Sequence, residues 1–224
     1  MAAIEDRTES RARVISAAEV ACAAWAVIGH NVLHVLPNEV PILVLLALVS
    51  MRWREGGWAA LGFVRPKSWR LMIALAVGAA VLRLVLGDLV IEPLAAHVWP
   101  PIVAPKGAEL IPHDAKAALA ALALVWTFAA FGEEIGYRGY LMKRIADVGG
   151  GGRLAWIVGL LGSAVLFGFG HFYKGPAGIL DSGVAGLILG GVYLLSGRCL
   201  WTTILAHGMI DTTAVILTYL GLNN

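Results

Sequence analysis

Trp126-Thr-Phe-Ala-Ala-Phe-Gly-Glu133-Glu134-Ile-Gly-Tyr-Arg138-Gly-Tyr-Leu-Met142 sets two adjacent acids and an arginine inside a stretch that otherwise reads as membrane-spanning helix. Charge in hydrocarbon is unfavourable by at least about 2.5–3.5 kcal/mol per group, so such residues usually face one another and mark a site. On a helix, positions four apart share a face, which lets Glu134 and Arg138 pair. Glu133 points about 100° away and is left without a local cation. Two further fragments, Phe167-Gly-Phe-Gly-His171 and His207-Gly-Met-Ile-Asp211, carry imidazoles and a third acid into other apolar segments.

The whole chain fits that setting. Of its 224 residues 59% are hydrophobic and 14% charged, against about 25% charged in soluble domains, and the mean hydropathy is +0.78. This composition predicts an all-α fold, a polytopic membrane helix bundle of about seven transmembrane helices. Apolar runs place them near 12–36, 38–53, 70–94, 116–146, 153–172, 178–196 and 199–221, separated by proline and glycine breakers. The second run, opened by Asn38 and Pro41, is short for a span of about 20 residues. The fourth is longer than a span needs and is expected to kink or to run out along the interface. Residues 1–115 read as N-terminal helices with a cytosolic basic loop, and 116–221 as a catalytic helix core, integrated into one membrane domain.

The N-terminus mixes Glu5, Asp6 and Glu9 with Arg7, Arg11 and Arg13 and lacks the apolar core of a removable signal peptide, so the first helix is expected to stay as an anchor. With the N-terminus in the cytosol, the inner segments hold twelve basic residues: Arg7, Arg11, Arg13, Arg52, Arg54, Arg65, Lys67, Arg70, Lys143, Arg144, Arg153 and Arg198. The outer ones hold three, Lys106, Lys116 and Lys174, and only Arg83 and Arg138 fall within spans. That asymmetry supports a cytosolic N-terminus. The Ala- and Gly-rich, Arg-over-Lys composition points to a bacterial plasma membrane. Cys22 and Cys199 are too few for a disulfide framework and read as small buried hydrophobes. No nucleotide loop, Ser-His-Asp arrangement or basic nucleic-acid patch appears, so no nucleic-acid partner is expected.

An unpaired carboxylate in a low-dielectric site suits a general base acting on water; the bland alternative is a buried structural network. His171 alone reads more simply as a packing residue than as a ligand. Asp211, four after His207, can accept the imidazole proton and fix its tautomer. If Glu133, Glu134 and Asp211 are all ionised against Arg138, the cluster carries two uncompensated negative charges. Protons shared among acids and imidazoles would balance this, as would a divalent cation. Glu133, His171 and His207 form a two-His, one-carboxylate set of the kind that holds catalytic zinc, although the H-E-x-x-H pattern is absent. Four-residue spacing of Gly178, Ser182, Gly186 and Gly190 predicts a close-packing helix face. His30 and His34, also four apart, lie near the outer end of the first helix without an acid nearby and read as interfacial packing.

E-E-x-x-x-R, F-x-x-x-H and H-x-x-x-D/N, in this order on successive apolar segments, resemble the CAAX protease and bacteriocin-processing family of intramembrane endopeptidases. The resemblance runs from about Trp126 to Thr213, and Leu61-Gly-Phe-Val-Arg-Pro66 is similar to the cytosolic run that often precedes that domain. It implies a peptidase in which Glu133 activates water, Glu134 and Arg138 support it, and His171, His207 and Asp211 position water or stabilise the oxyanion. It also implies a protein or peptide substrate, lipidated in the best-known cases, and a cavity opening to the cytosol. Asp211 stands where the family often has Asn. Two other readings remain at this level: a proton-coupled small transporter, which would call for internal repeats, and a non-catalytic immunity or scaffold member of the same fold. By helix rise, Glu133 sits about 22 Å from the turn near Val148 and His207 about 14 Å from that near Arg198. They meet only if helices tilt, kink or carry irregular turns.

Overall fold

The computed structural model describes residues 2–222, with side chains from residue 8 onward, so the side chains of Glu5, Asp6 and Arg7 lie outside the described residues. Seven helical rods follow one another. They are α1 (Ala2–Asn31), α2 (Glu39–Arg54), α3 (Trp69–Ala95), α4 (Ala115–Val148), α5 (Arg153–Phe169), α6 (Gly175–Leu195) and α7 (Leu200–Tyr219). Five of them are long and apolar enough to cross a membrane; α2, with 16 residues, and α5, with 17, are shorter. The described residues contain no strand. This is an all-α membrane helix bundle, and the chain is an integral membrane protein.

Irregular turns occur in two of the helices. In α4, Val125–Leu141 is wound in wide π-type turns, closed by a bond from the Met142 N–H to the Tyr137 carbonyl five residues back. A shorter π segment, Gly87–Ile91, interrupts α3. Such widened turns recur at functional sites because they re-aim side chains without breaking the rod.

Lipid tails are as apolar as leucine, so helices here associate through close packing at small residues. A Cβ on Gly186 would lie 3.0 Å from the Ala164 Cα, and one on Gly190 would lie 2.7 Å from the Met142 Cε, so α6 is pressed against α5 and α4. Gly178 differs from the expectation. The atom filling its space is the Cβ of Lys174, one turn earlier on the same chain. Cys199 is buried as expected, but Cys22 is exposed on α1.

The two ends of the bundle differ in chemistry. At one end lie the turns 55–68, 149–152 and 196–199. There Arg144, fully buried, binds Glu19 and Glu55 at 2.9 Å, Asp147 at 2.6 Å and the Ser50 hydroxyl at 2.8 Å. Lys143 joins Glu55 at 2.9 Å, and Arg54 bonds Glu19. These contacts tie α1, α2 and α4 together. Burial pushes the Glu55 carboxyl up, but the hydrogen bonds and charges of Arg144 and Lys143 outweigh it and hold the group below its ordinary value of 4.5. At the opposite end lie the turns 32–38, 96–114 and 170–174, where the Val103 N–H bonds the Lys174 carbonyl and the His113 N–H bonds the Tyr219 carbonyl.

Candidate active site

The widened stretch of α4 is the platform. Glu134, with no exposed surface, accepts a hydrogen bond from Arg138 Nη1 at 2.7 Å, as the four-residue spacing predicts. The same oxygen, Oε1, accepts from His207 Nδ1 at 2.7 Å, which joins α7 to α4. Arg138 Nη2 reaches the Gly186 carbonyl of α6 at 3.5 Å. A buried carboxylate and guanidinium are tolerable only when paired and hydrogen-bonded, and Glu134 meets that condition through Oε1.

Glu133, one residue earlier, has no ion-pair partner, and its Oε2 is buried without a hydrogen bond. The charged groups whose fields reach it are His207, Asp211, Glu39 and Arg138. Glu134 Oε2 is likewise buried without a partner, so the two acids differ at Oε1, where Glu134 accepts two hydrogen bonds.

Phe167, the first residue of the second fragment, joins the motifs. The Arg138 guanidinium lies 4.3 Å from the centre of its ring, a cation–π contact that strengthens when desolvated. Tyr137 meets the ring edge-on at 5.0 Å and His207 at 6.0 Å, while the His171 ring is tilted against it at 4.8 Å. His171 follows the end of α5, and its Nδ1 lies 2.9 Å from the Phe167 carbonyl. A carbonyl only accepts, so Nδ1 carries the proton and Nε2 keeps its lone pair.

Asp211 plays a smaller part in holding His207 than the spacing suggested. Its Oδ2 is 3.5 Å from Nε2, whereas Glu134 is 2.7 Å from Nδ1. Glu134 sets the ring orientation, and Asp211 faces the far nitrogen. Of the six residues singled out from the sequence, Glu133, Glu134 and Arg138 lie on α4, His207 and Asp211 on α7, and His171 on the turn after α5.

Nothing in the sequence singles out Glu39. Asn38 caps α2 by accepting from the Val40 N–H at 2.9 Å. The helix docks on the glycine face of α4, where a Cβ on Gly132 would lie 2.6 Å from Val40 Cγ1 and one on Gly136 2.9 Å from Leu43 Cβ. That close approach buries Glu39 and brings its Oε2 to 3.5 Å from His30 Nε2. The reading of His30 as remote from any acid is therefore corrected. A Cβ on Gly170 would lie 2.6 Å from Tyr137 Oη and 3.5 Å from Glu39 Oε1, so glycine there lets both groups lie against the His171 turn. Outside the cluster, the other intramembrane arginine, Arg83, pairs with Asp181 of α6.

The fit to zinc can be judged from the donors. Zinc takes deprotonated carboxylates and imidazole lone pairs, with three protein ligands in catalytic sites. His171 Nε2 and Glu133 Oε2 are free, but His207 has both nitrogens turned to carboxylates. Among the described residues no three His, Cys, Asp or Glu side chains are arranged to hold a metal ion. The trio Glu133, His171 and His207 does not fit zinc in this arrangement, and no step is derived through one.

Fold and cluster together define an integral membrane helix bundle with a buried site of carboxylates and imidazoles. Residues 115–213 match the family model described as "Rce1-like: Type II CAAX prenyl endopeptidase Rce1-like". That stretch contains all six residues of the three fragments. No curated protein and no solved structure matches the chain.

Proposed function

We propose that the chain is an intramembrane endopeptidase of glutamate type, hydrolysing a peptide bond with water activated by Glu133. The observation that carries this reading is the inequality of the two acids. Glu134 Oε1 accepts from both Arg138 and His207, and Glu133 has neither partner, although the Oε2 atoms of both acids are buried and unpartnered. A carboxylate in that state can take a proton from water within a dry site.

In this reading Glu133 accepts one proton from water as the water oxygen bonds to the scissile carbonyl carbon. The lone pair of His171 Nε2 accepts the other water hydrogen bond and fixes its direction. The carbonyl electron pair moves to oxygen, and the resulting oxyanion is stabilised by a proton held between His207 Nε2 and Asp211. Glu133 then returns its proton to the leaving nitrogen as the C–N bond breaks. Phe167 holds Arg138, Arg138 holds Glu134, and Glu134 holds His207. Their role is positioning.

The substrate is a peptide or protein segment held at the bilayer, and the family description makes a prenylated peptide the first to try. Protein purified in detergent is incubated with a farnesylated peptide, with and without chelator, alongside Glu133→Gln. The reading expects cleavage by the wild type that survives chelation and is lost in Glu133→Gln. Undiminished cleavage by that variant would defeat it.

A further inference from the structure

The end of the bundle that holds the turns 55–68, 149–152 and 196–199 carries a cavity apart from the six-residue cluster. It measures about 280 Å³, and its wall includes Lys143 of α4, Trp156 of α5, Tyr193 of α6, and Gly62 and Arg198 from two of the turns. None of the six site residues lines it. Pockets for drug-sized ligands span about 300–1,000 Å³, so this one suits a headgroup or a small ion rather than a peptide.

The turns that build it are locked to one another. The Leu200 N–H bonds the Gly62 carbonyl at 2.8 Å, and Tyr193 Oη donates to the Leu61 carbonyl at 3.3 Å. A Cβ on Gly62, whose φ is 101°, would lie 2.5 Å from the Arg198 carbonyl oxygen. Arg198 itself has a left-handed backbone, φ 65°, and closes α6 through its N–H to the Tyr193 carbonyl at 2.8 Å. That conformation is uncommon in residues with a Cβ, and past a helix end glycine is its usual occupant. The arginine held there sets its guanidinium 4.8 Å from the centre of the Trp156 ring, on the cavity wall.

Charge at this end leaves a surplus on Arg198. Three cations, Arg54, Lys143 and Arg144, are bound to three acids, Glu19, Glu55 and Asp147, so that network is neutral as a whole. Arg198 joins none of these pairs, and the cavity wall contains no acid. A guanidinium presents a planar fork that meets phosphate oxygens two at a time.

Tryptophans mark the level of the cavity. Trp53, Trp58 and Trp69 are exposed in and beside the 55–68 turn, and tryptophan is enriched where a membrane meets water. Basic pockets between membrane helices at that level bind anionic headgroups.

We propose that this cavity binds the phosphate of an anionic phospholipid, with the Arg198 guanidinium as its cation and the Trp156 ring supporting that guanidinium. Lys143 adds a donor on the wall. A headgroup held there bridges the 58–64 and 196–199 turns and fastens them to α5 and α6. The site is independent of the peptidase reading and of which face of the membrane this end occupies.

Purified protein in detergent is titrated with phosphatidylglycerol, phosphatidylcholine or inorganic phosphate, following the unfolding midpoint and, by native mass spectrometry, the lipid retained. A ligand that binds only the folded state raises the midpoint as its concentration rises. Phosphatidylglycerol should do so for the wild type, and phosphatidylcholine should need at least tenfold more for the same shift. Arg198→Gly suits the left-handed backbone and Arg198→Gln keeps the aliphatic stem. Both are expected to keep the helical content, to retain one phosphatidylglycerol fewer than the wild type, and to need at least tenfold more of it for the same shift. Arg198→Lys, which keeps the charge, should recover part of that loss. Equal protection of the wild type and both variants overturns the proposal, as does equal protection by the two lipids or no shift with either. Protection by inorganic phosphate with none from phosphatidylglycerol assigns the cavity to a soluble phosphate and overturns the lipid.

Discussion

His207 Nδ1 lies 2.7 Å from Glu134 Oε1, so the last helix of the bundle is fastened to the widened fourth helix by a charge-assisted hydrogen bond within the protein interior. The oxygen that receives it also receives Arg138, and that sharing makes the network sensitive to loss of any member.

Arg138→Met removes the cation and leaves Glu134 buried against His207 alone. Breaking a buried pair by deleting one partner costs about 3–5 kcal/mol. The expected outcome is a large drop in the midpoint of thermal unfolding in detergent. A midpoint unchanged from wild type would mean that Glu134 is not charged in the folded protein.

Phe167→Leu keeps most of the apolar volume but removes the ring face under Arg138. A desolvated cation–π contact is worth about 2 kcal/mol. Cleavage should fall by more than tenfold while helical content, read by circular dichroism, stays the same. Wild-type activity in this variant would reduce Phe167 to a filler.

Glu39→Gln tests the acid that the motifs do not include. Its field reaches Glu133, and it lies against the same turn as Tyr137 and His171. A displacement of about 1 Å near the chemistry can lower a rate by about 10²-fold, so kcat should fall about 10- to 100-fold with KM little altered. Glu39→Asp should recover part of the loss. An equal loss in both variants, together with a lowered unfolding midpoint, would assign Glu39 to folding alone.

The network around Arg144 predicts a dependence of stability on pH. Because folding holds the Glu55 carboxyl below its ordinary value of 4.5, its contribution is present above that value and is lost as pH falls through the lower folded value. Unfolding midpoints measured from pH ~6 down to ~3 should decline, and Glu55→Gln should flatten part of that decline. A variant whose decline matches the wild type would remove Glu55 from the account.

Much of this is legible in the sequence. The expected second helix at 38–53 is found at Glu39–Arg54, and the sixth, expected at 178–196, at Gly175–Leu195. Apolar runs and glycine or proline breakers are local signals, and so is the four-residue spacing that pairs Glu134 with Arg138. Glu39 was not legible, because at the first turn after a capping Asn an acid is ordinary. Its neighbours Tyr137 and Gly170 are brought to it only by the docking of α2 on Gly132 and Gly136. The π winding of α4 was foreseen only as a need for some irregularity, since no residue in Val125–Leu141 announces it. His207 pairs with Asp211 as the spacing predicts and also with Glu134, which was not legible for the same reason: spacing along one helix is visible, and a contact between α7 and α4 is not.

Oxygen transfer from water tests the role given to Glu133 most directly. A single turnover with enzyme in excess is run in 18O-enriched water, and both the new C-terminal carboxylate and the Glu133-containing peptide are weighed by mass spectrometry. One labelled oxygen in the product and none in Glu133 is expected if the carboxylate only moves a proton. Label in Glu133 would mean that it attacks the carbonyl itself, and the account of an activated water would be wrong.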